Sequence, residues 1–206
     1  MNRTYRLKGM IALWAALLAP GAMAAEAGRP AIAEEAAQAQ QLRAWAGDPA
    51  TLDDRLFVQW EYAGALRERE LAKTVLRRSE DPEIRALAVL VRDGHQAGID
   101  IMVPIAADLQ IVLPTEPTAI DRAAIEAAAA LPPAALDRFF LRRQRAMHAW
   151  DITVFDDFGT VAKNERLQRY VADVRAPLRD HADTVVRLAN ARGIPGGLTS
   201  TRTADH

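Results

Sequence analysis

Four side chains in this sequence have the types that bind a divalent cation or carry protons inside a protein, and all four occupy places where an apolar residue belongs. His95 lies four residues after Val91 and seven before Met102. His148 lies eight after Phe140 and seven before Phe155, and His181 lies three after Leu178 and four before Val185. Glu68 falls four after Gly64 and three before Leu71, on the face shared by Phe57 and Trp60. These spacings are close to whole helical turns, so each group interrupts an apolar stripe and points inward. Glu61 and Glu70 fall off the stripe and read as surface. His206 lies in the tail and is set aside.

Three imidazoles and one carboxylate are a donor set for zinc, iron, manganese or copper, and helical bundles build such sites from facing helices. Glu68, His95, His148 and His181 are therefore candidate metal ligands. Asp93, Asp151 and Asp180 are candidates to accept from the second ring nitrogens. The same four groups support an ion-free alternative, a structural or envelope-stress interaction protein whose neutral histidines bond to Glu68 and to each other. In both cases a buried carboxylate needs a cation or strong donors beside it. A third alternative, a metal-dependent oxidase or hydrolase, needs an open coordination position and a substrate channel. The di-iron pattern of Glu-x-x-His on two helices is absent, and His148 with Asp151 three residues on is the nearest approach. No Ser-His-Asp order, phosphate loop or dinucleotide fingerprint occurs, so no catalytic residue is assigned.

The elements that must position these groups follow from the period of the apolar residues. Phe57, Trp60, Gly64, Leu71 and Val75 share one face of a helix over about 52–78. Thr51, Asp53 and Asp54 mark its start. "SEDPE" ends it and begins a second helix over about 82–110, because Ser79 and Asp81 can cap free amides and Pro82 suits a first turn. "VLPTEPTAID" is a loop. The Ala-rich run after it is either a short crossover helix or a flexible connector. Helices over about 134–159 and 165–190 follow, the last carrying Leu167, Val171, Val174, Leu178, Val185 and Leu188 as one stripe. No strand pattern appears. The class is all-α, an antiparallel four-helix bundle with a long connection between the second and third long helices.

Depth decides whether the four groups can meet. Glu68 and His95 straddle their turn at 13 to 14 residues, about 20 Å at 1.5 Å per residue, and His148 and His181 straddle theirs at about 25 Å. Helices of this length run about 40 Å, so all four groups lie near mid-bundle whether the two turns share an end or not.

The N-terminus bears on compartment. "MNRTYRLKG" carries Arg3, Arg6 and Lys8, "MIALWAALLAP" is a short apolar core, and Ala22 and Ala24 suit a signal-peptidase site, so residues 1–24 read as a cleaved secretory leader. The apolar run is too short to span a bilayer, which predicts no stable transmembrane span after cleavage and a periplasmic or secreted protein. Residues 25–50 read as a tether with a short helix, 51–190 as the bundle and 191–206 as a flexible tail. Cleavage leaves 23 of the 26 basic residues against all 27 acidic ones, a formal charge of −4, which argues against a nucleic-acid partner. With no cysteine, the chain has no disulfide, thiolate ligand or lipid-attachment site.

From Leu56 to Leu188 the chain resembles the domain of unknown function 4142 family, secreted bacterial proteins often labelled outer membrane proteins and regarded as ferritin-like bundles. The resemblance rests on "EREL" from Glu68, "DPEIRALAVLVRDGH" ending at His95, "LDRFFLRRQRAMH" ending at His148 and "APLRDH" ending at His181. It implies a ferritin-like fold and picks out the same glutamate and three histidines. Two positions depart from the family pattern. Gly94 stands where the family has Asp directly before the histidine, with Asp93 one residue earlier, and Ala72 replaces a glycine.

Overall fold

The computed structural model describes residues 53–194. Among them are five helices and no strand: α1 (Asp54–Arg78), α2 (Pro82–Asp108), α3 (Ala119–Ala129), α4 (Pro133–Phe158) and α5 (Glu165–Ala191). The expected leader, tether and most of the tail lie outside the described residues.

Side-chain caps explain where the helices begin. Asp53 accepts from the Leu56 amide at 2.9 Å, and Asp81 accepts from the Glu83 and Ile84 amides at 2.9 and 3.3 Å, with Pro82 in the first turn. Asn164 accepts from Arg166 and Leu167 and starts α5. The Ala-rich run is a helix, α3, and not a flexible connector. Thr118 accepts from the Asp121 amide at 3.1 Å and donates to the Asp121 carboxylate at 2.8 Å. The ends of α2 and α5 are built alike. A residue with positive φ, Gln110 at 54° or Gly193 at 62°, turns the chain out of the helix, and the isoleucine after it returns its amide to a carbonyl five residues back. Both isoleucines, Ile111 and Ile194, are buried.

The apolar core is divided in two. One cluster gathers Phe57, Leu66, Met102, Ile105, Phe155, Phe158 and Leu167, with the Phe57 and Phe158 rings stacked at 3.8 Å. The other gathers Leu71, Val75, Ile84, Leu87, Leu136, Phe140, Val185 and Leu188. The first takes the beginnings of α1 and α5 with the ends of α2 and α4, and the second takes the reverse. The α1–α2 and α4–α5 turns therefore lie at opposite ends, and α2 and α4 run in the same direction. The connection between them, which contains α3, must travel the length of this bundle-like fold, with α3 lying on α1.

Both ends are latched. The Asp54 carboxylate accepts from the Lys163 and Asn164 amides at 3.0 and 2.7 Å, tying the start of α1 to the α4–α5 turn. Arg192 donates to Asp81 at 2.6 Å, tying the end of α5 to the α1–α2 turn. Contact is most extensive within two hairpins, α1 with α2 and α4 with α5.

Candidate functional site

Between the two apolar clusters the long helices contribute polar groups. Arg67 and Glu68 come from α1, His95 from α2, Arg143, Gln144, His148 and Asp151 from α4, and His181 from α5. The structure thus brings Glu68 and the three histidines to one level, in the seam where the hairpins meet.

Glu68 is buried, and donors surround it. Its Oε1 accepts from Arg143 Nη2 at 2.6 Å, Arg143 Nε at 3.1 Å and Arg67 Nε at 3.2 Å, and its Oε2 accepts from Gln144 Nε2 at 2.8 Å. Burial pushes this carboxyl up, but the charges of Arg143 and Arg67 and the Arg143 hydrogen bond outweigh burial and hold it below the usual carboxylate range. The carboxylate stays ionised because guanidinium groups from two helices share its charge.

The histidines meet a different environment. His148 is buried, and its Nδ1 lies 2.9 Å from the Gln144 carbonyl. A carbonyl only accepts, so Nδ1 carries the proton and Nε2 of the neutral ring keeps its lone pair. The His148 and His181 rings stand 6.2 Å apart, edge to face. Burial, ahead of the nearby His148, Arg67 and His181, lowers His95 to about 4 in spite of Glu68. Burial also lowers His148, so both rings favour the neutral form at neutral pH. His95 and His181 are half-buried. Gly94 is exposed beside His181, and a Cβ added to it would lie 4.0 Å from that ring's Cε1.

Glu61 corrects the sequence reading. It is not a surface group. Half-buried, it accepts from the Tyr170 hydroxyl at 2.6 Å, and desolvation raises its pKa despite that bond and the charge of Arg67. Gly98 makes room for the pair, since a Cβ there would sit 3.1 Å from the Tyr170 hydroxyl and 3.5 Å from Glu61 Oε1. Asp151 adjoins the same region and is raised well above the ordinary value by burial and by the charges of Glu61 and Glu68.

The other two candidates to orient histidines face outward. Asp93 is exposed and pairs with Arg92 at 2.7 Å, because two residues from His95 is more than half a turn of helix. Asp180, one residue before His181, is rotated about 100° from it and is exposed. Among the described residues no three His, Asp or Glu side chains are arranged to hold a metal ion as they stand.

Arg67, Arg143, Gln144 and Tyr170 are the members of this layer that the apolar stripes did not name. Gln144 could have been found, because it lies midway between Phe140 and His148 at four-residue steps. Arg143 shares that face at three residues from Phe140. Arg67 carried no such signal, since its aliphatic stem lies in the layer while its charge turns back to the neighbouring Glu68.

Comparison with known proteins identifies the family. The model of a domain of unknown function, DUF4142, matches residues 33–188, and the chain belongs to that family. In fold it is similar to the crystal structure of a DUF305 fragment from Deinococcus radiodurans, with a TM-score of 0.53 and 20% identity over 66% of this chain and 93% of that one. No protein of curated function matches the sequence. Among the described residues no helix is long and apolar enough to cross a membrane.

Proposed function

We propose that this is a non-catalytic bundle of the bacterial periplasm, ferritin-like in topology, which acts through its surfaces as an envelope interaction protein. Its polar middle layer fixes how the two hairpins meet. The observation that carries this reading is the state of Glu68, whose two oxygens are already committed to Arg143, Arg67 and Gln144. A carboxylate so neutralised is a poor metal ligand, because a cation would have to displace two guanidiniums from a buried site. The single connection spanning the bundle between α2 and α4 supports the ferritin-like topology. A leader with a basic start and a small-residue cleavage site supports the periplasm.

A second reading has its own supporting observation. His148 holds its Nδ1 proton on a backbone carbonyl and leaves Nε2 free, the arrangement that orients a metal-ligating imidazole. In this reading His95, His148 and His181 close on a zinc, iron, manganese or copper ion, with Glu68 remaining as a counter-charge, and the protein senses, stores or sequesters that metal. Elemental analysis of the mature protein purified from periplasm separates the two. The first reading expects no stoichiometric metal. About one metal per chain, lost in His148→Leu, would replace it with the second.

A further inference from the structure

Two loops and the start of α1 meet at one end of the bundle. The Asp54 carboxylate holds the Lys163 and Asn164 amides of the α4–α5 turn, and Arg55 donates to the Leu109 carbonyl just past the end of α2. Arg166, in the first turn of α5, pairs with Asp108 at 2.8 Å. These polar groups engage one another and leave aliphatic ones outside them. Val112 is 93% exposed, the highest value for a large hydrophobic side chain among the described residues, and Val161 is 40% exposed. Their neighbours in sequence, Leu113 and Ala162, are half-buried against the cluster of Phe57 and Phe158.

The chain enters the bundle at this same end, at Asp53. Val112 follows Leu109 by three residues and Val161 precedes Lys163 by two, so each lies within about 11 Å of chain from a group bonded to the first turn of α1, at about 3.6 Å per residue. The residues before Asp53 suit such a surface. From Trp45 to Leu52 there is one charge, Asp48, and the stretch extends to at most about 29 Å, with Gly47 and Pro49 to bend it back. Leu52 holds the position before the cap and Phe57 the fourth position of α1, the two places that a hydrophobic staple joins to fix the angle of entry. The DUF4142 match begins at residue 33, so this stretch belongs to the family's domain.

We propose that residues 45–52 fold back over this end of the bundle, with Leu52 turning the chain inward and Trp45 covering Val112 and Val161. A segment joined to the chain at Asp53 faces the patch at an effective concentration in the millimolar range, which a second copy or another protein would have to match. The aliphatic end and the apolar segment are thereby each other's partners.

With no native cysteine, the mature protein reports this cover at single introduced thiols. Val112→Cys is expected to react with a maleimide about tenfold more slowly than Ala86→Cys, which is exposed near the other end, each rate taken relative to the same chain unfolded in urea. Adding Trp45→Ser should bring the Val112→Cys rate to that of Ala86→Cys with helical circular dichroism unchanged, and Trp45→Phe should keep the protection. Equal rates at Val112→Cys and Ala86→Cys in the presence of Trp45 overturn the proposal. Protection that persists in Trp45→Ser overturns it as well, assigning this end to a second copy if it grows with protein concentration and to another part of the chain if it does not.

Discussion

Arg143→Met tests the polar layer at its most demanding contact. The side chains of Glu68 and Arg143 are 5% and 9% exposed and meet at 2.6 Å, so the substitution leaves a buried carboxylate without its principal cation. Breaking a buried pair from one side costs about 3–5 kcal/mol. Here Arg67 at 3.2 Å and Gln144 at 2.8 Å still donate, which places the expected loss near the lower end, about 3 kcal/mol. For a domain of this size each kcal/mol shifts Tm by about 2–4 °C, so thermal and urea unfolding should show a fall of roughly 6–12 °C. The Glu68→Met/Arg143→Met double variant removes both charges and should lose less than the two single variants together. Because the folded pKa of Glu68 is held down, its contribution is present above the unfolded value of about 4.3 and disappears as pH falls through the folded one. The gap between wild type and Arg143→Met should accordingly narrow in acid. A loss under about 0.5 kcal/mol at pH 7, or a double variant equal to the sum of the singles, would refute the claim that Arg143 compensates Glu68.

Two glycines about one helical turn apart should respond oppositely to alanine. Gly98→Ala drives a Cβ to 3.1 Å from the Tyr170 hydroxyl and should cost about 1–2 kcal/mol, while Gly94→Ala meets nothing nearer than 4.0 Å and should stabilise by up to about 1 kcal/mol. Chemical denaturation of both variants checks the sign. Acid should weaken the fold through His95 and His148, whose burial lowers the pKa of both. With His95 lowered to about 4, the unfolded chain takes up its proton first, so this stability is complete above about 6.5 and is lost as pH falls toward 4. His95→Gln should flatten the stability profile between those values, and an unchanged profile would count against a neutral, desolvated His95.

The apolar stripes made the long helices legible because burial repeats every three to four residues, and Phe57, Val75, Ile84, Phe140, Phe155 and Leu188 are all buried. The same period exposed Glu68 and His148 as inward groups. It pointed to Gln144, on the face of Phe140 and His148, but did not mark the arginines that compensate Glu68. Arginine carries a long apolar stem, so Arg67 and Arg143 can enter a core layer at positions where sequence alone suggests a solvated charge. Glu61 escaped for a related reason. Its burial depends on a tyrosine more than a hundred residues later and on the missing side chain of Gly98, neither of which belongs to its own helix. Asp93 and Asp180 were misplaced because closeness in sequence to a histidine is not closeness around a helix.

The direct test of the central claim, that the middle layer stands on arginine and hydrogen bonds without an ion, is the melting temperature of the dialysed mature protein in chelator and then in about 1 mM zinc, copper, manganese or iron. A cation bound at 100 times its Kd would add about 2.7 kcal/mol, which at this size is roughly 5–11 °C. The claim predicts a change below about 1 °C with every metal. A saturable rise of several degrees that is lost in His148→Leu would contradict it.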